Sequence, residues 1–150
     1  MHDPDFSMLE LSYKGYFCSQ ILLSLALRAQ GRENPGLVRA LSGLANGTTR
    51  GKGVCGALTG AACLLAYYAG KGDDHEQESE RLPTMLEEYW DWFEENHAHR
   101  YGGSTCGHIL ADGAEPRERC APMVAEAFRR CQDILLANGF DPMEAADGRA

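Results

Sequence analysis

The sequence has no excess of basic residues and none of the motifs that mark common hydrolases and nucleotide-binding proteins. Its 14 lysine and arginine residues face 22 aspartate and glutamate residues, which gives a formal net charge of −8. Tight binding to a phosphate backbone requires a basic surface, so we expect no nucleic-acid partner. A serine triad, a phosphate-binding loop and a His-Glu-x-x-His motif are all missing from the chain.

Alternating apolar and polar residues, which indicate half-buried strands, are also missing, and so are internal repeats and low-complexity tracts. Apolar residues instead recur at three-, four- and seven-residue steps, as they do on one face of a helix. A chain of 150 residues, 44% of them hydrophobic, has enough apolar surface for one core. We therefore predict an all-α fold: a compact single domain over residues 1–150, with four main helices and short additional ones, a core over 7–138 and a loose tail over 139–150.

Glycine and proline mark the ends of the first helices. We predict a long first helix over residues 7–30, with Gly15 inside it and Gly31 ending it. Pro35 then opens a shorter helix. The stretch Asn46–Gly53 is polar and carries three glycines, so we expect a loop there.

The later helices follow the same signals. Apolar residues between Leu82 and Phe93 hold helical spacing, and Gly102 stops that helix. Pro122 constrains the last helix because proline is tolerated only in the first turn. We therefore predict that this helix begins near residues 119–120 rather than at Pro116.

One uncharged segment, residues 53–70, reaches the lower length limit for a membrane-spanning helix. Four of its residues are glycine, and the other predicted helices are amphipathic, so we interpret it as a central helix packed on all sides. The N-terminal residues are acidic where a secretory signal is basic. These features favour a cytoplasmic protein.

The negative charge is concentrated in one segment. Residues 73–95 hold ten acidic residues against Arg81 alone, a net charge of −9, whereas the rest of the chain has a net charge of +1. Such a segment is typical of a solvated helix face, and it is also suited to docking a basic partner.

Helix geometry limits how the six cysteines can pair. Cys55 and Cys63 lie about 12 Å apart along one predicted helix, and Cys120 and Cys131 about 16 Å apart along another. Neither pair can form a disulfide, whose Cα atoms lie within about 7 Å. We interpret Cys63 and Cys131 as small core residues. The remaining four belong to separate elements that can converge: Cys18 in mid-helix, Cys55 and Cys120 at helix starts, and Cys106 in a turn region.

Cys55 carries the clearest chemical signal. It follows the glycine-rich loop and begins a helix, where unpaired N–H groups and the helix dipole favour an anion. We therefore expect a lowered thiol pKa, and a similar effect on Cys120. Gly56 and Gly60 share one helix face, which leaves room for another helix or for a cofactor beside Gly56, Ala57 and Gly60. These residues alone leave a shared redox or metal role and buried free thiols as open alternatives.

The arrangement resembles the redox-active protein family named C_GCAxxG_C_C for its cysteine pattern. Cys18 stands alone in the first helix, the core reads Cys55-Gly56-Ala57-Leu58-Thr59-Gly60, and Cys106 and Cys120 follow singly. The resemblance covers about residues 10–135. One departure is the loop of residues 46–51, which is more polar than the small, glycine-rich stretch expected of the family.

The resemblance implies a small helical redox protein in which Cys18, Cys55, Cys106 and Cys120 form one centre. Family members are often encoded beside transporter genes, so membrane contact is expected only through a transporter partner. A similar domain occurs in a haem protein with an iron–sulfur centre, which brings a cluster into consideration. Covalent haem is not expected, because the chain has no Cys-x-x-Cys-His motif.

Three functions remain open at this stage. The first is thiol–disulfide exchange or electron transfer with an unknown redox partner, with Cys55 as the attacking thiolate. The second is a [2Fe–2S] cluster or a zinc ion held by the four thiolates, whose spacings of 37, 51 and 14 residues lack a Cys-x-x-Cys pair. The third is an accessory module that docks a partner through its acidic helix. A homodimer is compatible with each.

The histidines near Cys106 bear on the metal alternative. Cys106-Gly107-His108 could supply mixed ligands, with His97 and His99 nearby in sequence. The favoured interpretation is that His97 and His99 end an exposed helix.

Overall fold

Apart from one isolated β-bridge, the regular secondary structure of residues 3–145, the part of the chain that this computed structural model describes, is helical. The helices are α1 (Pro4–Tyr13), α2 (Cys18–Ala29), α3 (Pro35–Leu41), α4 (Gly56–Ala69), α5 (Leu82–Phe93), α6 (His99–Tyr101), α7 (Cys106–Ile109) and α8 (Pro116–Ala137). A 3₁₀ segment, Ser42–Gly47, follows α3, and a π-helical turn, Glu94–Ala98, joins α5 to α6. The all-α prediction is confirmed.

Helix α4 lies at the centre of the bundle, in contact with α2, α5 and α8. Its residues Leu58, Leu64 and Leu65 are at most 1% exposed and pack with Leu22 of α2 and Ile134 of α8 in one core. Helix α4 is therefore central, as predicted, but it is not packed on all sides, because the side that carries Cys63 and Tyr67 is only partly buried. Within residues 3–145, no helix has the length and apolar character needed to cross a membrane.

The contact between α2 and α4 depends on glycine. A Cβ atom at Gly60 would lie 2.7 Å from the Cα of Ser19, which is closer than packed carbon atoms approach. At this level Ser19 also anchors α3, because its hydroxyl donates a 2.8 Å hydrogen bond to the carbonyl of Leu41. The glycine strip predicted on α4 thus accommodates a neighbouring helix at Gly60.

The long first helix predicted from the sequence is wrong, because the chain breaks at Gly15. Gly15 has a φ of +93°, and the next amide, that of Tyr16, bonds back to the Leu11 carbonyl at 3.1 Å. The Gln20 side chain then accepts a 3.1 Å hydrogen bond from the Phe17 amide and caps α2. As a result Cys18 is the first residue of α2 and not a mid-helix residue.

The predicted start of the last helix is also wrong. The Glu115 side chain accepts a 2.9 Å hydrogen bond from the Glu118 amide, and Pro116 fills the first position of α8. Pro122 therefore lies inside the helix, on its exposed side. Cys120 is the fifth residue of α8, beyond the positions where free N–H groups would stabilise a thiolate.

Part of the segment expected to be a loose tail is held against the bundle. The buried hydroxyl of Tyr68 donates a 2.6 Å hydrogen bond to the Pro142 carbonyl, and the Gln30 side chain donates through its Nε2 to the Glu144 carbonyl at 3.2 Å. These contacts correct the expectation up to Glu144. Residues 146–150 lie outside the described part of the chain.

The acidic segment has one buried member. Most of its carboxylates, including Glu87 and Asp91 on α5, are exposed to solvent. Glu76 is buried, and its side chain accepts hydrogen bonds from the amides of Gly72 at 2.8 Å and Asp73 at 3.0 Å. Glu76 therefore closes the loop between α4 and α5, and the solvated face lies on α5.

Replacing Gly60 with alanine should lower the free energy of unfolding by about 1–3 kcal/mol, because the new methyl group collides with the Ser19 backbone. Urea denaturation measures this change. Gly43→Ala is the matched control, since a Cβ at Gly43 meets nothing within 4 Å. Equal stability of the two variants would contradict the close helix contact.

Pro122→Ala should stabilise the protein by about 1 kcal/mol or more, because it restores a helix-interior N–H group that can bond to the Glu118 carbonyl. Pro116→Ala is the control, since no intrahelical bond is missing at the first helical position. Thermal unfolding of both variants checks the difference. A loss of stability in Pro122→Ala would show that the ring makes contacts worth more than the missing bond.

Candidate functional site

A short antiparallel bridge fixes the positions of Cys55 and Cys106 relative to each other. Val54 pairs with Thr105 immediately before the two cysteines. The Cys55 amide donates to the Ser104 carbonyl at 2.7 Å, and the Cys106 amide donates to the Gly53 carbonyl at 3.1 Å. The starts of α4 and α7 are thereby joined, with both cysteines on the same side of the bridge.

Glycine in the preceding loop allows this bridge to form. A Cβ at Gly53 would lie 2.3 Å from the Gly47 carbonyl oxygen, so the loop closes on itself backbone against backbone. The Gly107 amide also donates to the Gly51 carbonyl at 2.9 Å, which attaches the loop to α7. The glycines that marked this stretch as a loop therefore position two cysteines.

Cys18 lies where the starts of α2 and α4 meet. A Cβ at Gly56 would lie 2.6 Å from the Cys18 sulfur, so only glycine leaves room for the thiol. Burial raises the pKa of the Cys18 thiol, and the nearby backbone N–H groups of Ser19, Cys18 and Gly56 partly offset this effect. Cys18 thus lies close to the first N–H groups of both α2 and α4.

The four cysteines of the sequence motif line one pocket of about 230 Å³. Its apolar wall includes Met8, Ile21, Ile109, Leu110 and Val124, and residues closer to its rim include Ser12, Tyr16, Phe17 and Arg117. All four cysteines are unbridged thiols here, and they are contributed by α2, the start of α4, α7 and α8. The elements that the sequence left free to converge do converge.

Rim residues Tyr16, Phe17 and Arg117 were not singled out by sequence reasoning. Tyr16 and Phe17 directly precede Cys18, which was the available signal. Arg117 had no sequence signal, because its place at the rim depends on α8 beginning at Pro116.

The other two cysteines lie away from this pocket. Cys131 is fully buried in the core, with its sulfur 4.0 Å from the Ala61 carbonyl oxygen, as predicted. Cys63 is only partly buried at the edge of the core. Both therefore serve as comparison thiols within the same chain.

Burial raises the pKa of every thiol in the pocket. The pKa values of Cys55 and Cys120 are each raised to about 12, first by desolvation and next by the neighbouring Cys18. The Ala57 amide donates to the Cys55 sulfur at 3.4 Å, as expected at a helix start, yet this bond offsets only part of the burial. The expectation of a lowered pKa is therefore wrong for both residues, because desolvation outweighs the helix terminus.

Electrostatic coupling shows which thiols are neighbours. Among the neighbouring charges, that of Cys18 raises the pKa values of Cys55 and Cys120 most. The charge of Cys106 raises the pKa values of all three. Cys55 and Cys106 are diagonal neighbours across the bridge, which places their Cα atoms roughly 7–8 Å apart. That separation is at the limit for a disulfide, so Cys18 is the better placed partner for the others.

The histidines do not join the cysteines. His97 is buried, stacks edge-on against Trp92 at 5.3 Å and lies 3.4 Å from a Glu126 carboxylate oxygen. The interpretation of an exposed helix end is wrong for His97, whereas His99 is exposed. His108 bonds through its Nδ1 to the Thr105 hydroxyl at 2.6 Å.

The donor set also bears on the metal alternative. Among residues 3–145, no three histidine, cysteine, aspartate or glutamate side chains are placed so that they could hold one metal ion. The arrangement as it stands therefore does not fit a zinc ion or a [2Fe–2S] cluster.

The reduced protein should lose stability as the pH rises above about 8.5. Unfolded cysteines ionise near pH 8.5, while Cys55 and Cys120 stay protonated in the folded state until about pH 12. The stabilisation is therefore complete below the unfolded pKa and is lost as the pH rises towards the folded one. Urea midpoints under reducing conditions between about pH 8.5 and pH 10 isolate the cysteines, because unfolded tyrosines ionise only near pH 10.

The double variant Cys55→Ala/Cys120→Ala should show a flatter dependence in this window. An identical slope in the variant and the wild type would contradict the raised thiol pKa values.

The chain matches the model of one known protein family. The family model described as "Putative redox-active protein (C_GCAxxG_C_C)" matches residues 16–134, a range that includes all four pocket cysteines. No curated protein and no solved structure matches the chain. Since the matched range is most of the chain, the protein belongs to the C_GCAxxG_C_C family.

Proposed function

We propose that this protein carries out thiol–disulfide exchange in the pocket formed by Cys18, Cys55, Cys106 and Cys120. The observation that carries the proposal is the convergence of four unbridged thiols from separate elements on one pocket. Cysteines that serve only as packing residues do not need to lie near one another. Cys131, for example, is buried by itself elsewhere in the core.

Cys106 is the entry thiol in this proposal. It is the least buried of the four, so an external disulfide reaches its sulfur more readily than the other three sulfurs, and burial is the cause of its raised pKa. Its thiolate attacks one sulfur of an external disulfide. A bond forms between that sulfur and Cys106, and the other half of the disulfide leaves as a thiolate and takes up a proton.

Cys18 resolves the mixed disulfide. Burial raises its pKa, but the N–H groups at two helix starts lie close to its sulfur and oppose that rise, which favours the thiolate needed for attack on Cys106. The Cys18–Cys106 bond forms, the second half of the substrate leaves as a thiol, and the substrate has gained two electrons and two protons in total. Cys55 and Cys120, both next to Cys18, can then exchange with this disulfide inside the pocket.

A buried pocket is better suited to disulfide exchange than to a site that keeps a thiolate permanently ionised. A pocket that disfavours charge keeps the thiols protonated and unreactive until a partner arrives, whereas a disulfide carries no charge to desolvate. Oxidation to a disulfide therefore removes thiols whose thiolate forms are destabilised by the buried pocket.

Oxidation of the purified protein with glutathione disulfide should remove two of the pocket thiols and form an internal disulfide that includes Cys18. In Cys18→Ser the internal bond should not form, and a mixed disulfide should accumulate on Cys106 because nothing resolves it. Alkylation followed by peptide mass spectrometry identifies the bonds in each case.

Cys63→Ser is the matched control and should behave as the wild type, since Cys63 lies outside the pocket. An unchanged thiol count in the wild type would refute the proposal. Stoichiometric zinc or iron that protects the four thiols from alkylation would instead support the metal alternative.

A further inference from the structure

Helix α1 is apolar on two opposite sides. Met8 and Leu11 face the core at 5% and 4% exposure. On the other side Phe6, Leu9 and Tyr13 are exposed at 69%, 43% and 72%, and they follow each other at i, i+3 and i+7. The residues Phe6, Leu9 and Tyr13 are called the outer face of α1 below.

The outer face continues to the rim of the cysteine pocket. Tyr16 and Phe17, in the turn that follows α1, are 39% and 45% exposed and also line the pocket. Within residues 3–145, five of the eight exposed large hydrophobic side chains thus lie between positions 6 and 17. Their accessible surface amounts to roughly 500 Å², the upper end of what a soluble monomer exposes in one patch.

The charges around this patch differ between its two ends. Asp3 and Asp5 lie at the start of α1, whereas Lys14 follows its end and the Arg117 guanidinium stacks 4.6 Å from the Tyr13 ring. Asp5 also pairs with Arg129, and Lys14 with Glu10, within the chain. The charges at the two ends of α1 therefore favour one orientation of a partner along this helix, while the aromatic residues supply most of the contact area.

A twofold contact requires a surface that is complementary to itself. Two copies of α1 packed antiparallel would place the acidic end of each helix against the basic end of the other, and would also oppose the two helix dipoles. The five exposed side chains alone would bury about 1,000 Å² in both copies together, the size at which specific interfaces begin. Charge and area thus match one occupant, a second copy of this chain.

We propose that the protein forms a twofold dimer through the outer face of α1, with the two α1 helices antiparallel. Because Tyr16 and Phe17 belong both to the patch and to the pocket lining, the partner copy covers part of the pocket rim. The dimer thereby limits access to Cys106 to the side of the pocket that the partner leaves open. This proposal stands independently of the thiol chemistry.

Sedimentation velocity of the reduced protein over a range of concentrations tests the dimer. The wild type should sediment at twice the chain mass of 16.4 kDa. Phe6→Glu/Tyr13→Glu should shift it to the monomer, while Leu136→Glu, which alters an equally exposed side chain on α8, should leave the dimer intact. A monomeric wild type, or a dimer unaffected by the double variant, would overturn the proposal.

A cysteine substitution in the middle of α1 tests the antiparallel arrangement. Leu9 lies at the middle of the helix, so in an antiparallel pair each Leu9 faces the other across the twofold axis. Leu9→Cys should therefore form an intermolecular disulfide on mild oxidation, which mass spectrometry detects as two linked copies of the peptide that carries the substitution. Phe6→Cys should not, because its two copies are displaced by about 9 Å along the helices. Crosslinking of Phe6→Cys in preference to Leu9→Cys would overturn the antiparallel geometry.

Discussion

The close contact between α2 and α4 determines where the pocket thiols can lie. Gly60 lets the Ser19 backbone approach α4, and four residues earlier Gly56 leaves the space that the Cys18 sulfur fills. The same approach places that sulfur near the first N–H groups of both helices, which oppose the rise of its pKa on burial. The bridge between Val54 and Thr105 then sets Cys106 beside the start of α4, and α8 closes the pocket with Cys120.

Desolvation decides the chemical state of these thiols. A helix start lowers a thiol pKa when the sulfur is in contact with water, and the first expectation for Cys55 assumed such a position. Here burial and the neighbouring sulfurs act together in the opposite direction, so the dithiol form is neutral. A centre of this kind reacts with an external disulfide through its least buried member, Cys106.

The sequence is informative where a local pattern determines structure. The helical periodicity, the uncharged helix and the grouping of four cysteines apart from Cys63 and Cys131 followed from spacing, loop composition and the family resemblance. The sequence could not show whether Gly15 ends a helix or is tolerated inside one. What distinguishes the two cases is the positive φ of Gly15 and the cap that the Gln20 side chain forms on α2, and both are seen only in the structure. The pKa of Cys55 and the burial of His97 depend on neighbours distant in sequence, which no local pattern contains.

A redox titration of the wild-type protein is the direct test of disulfide exchange among the pocket cysteines. The protein is equilibrated with defined ratios of reduced and oxidised dithiothreitol, the remaining thiols are alkylated, and each cysteine is quantified by mass spectrometry. We predict a reversible two-electron transition in which thiols disappear only among Cys18, Cys55, Cys106 and Cys120, while Cys63 and Cys131 stay reduced. Six thiols that remain reduced at every ratio, or bonds that involve Cys63 or Cys131, would contradict it.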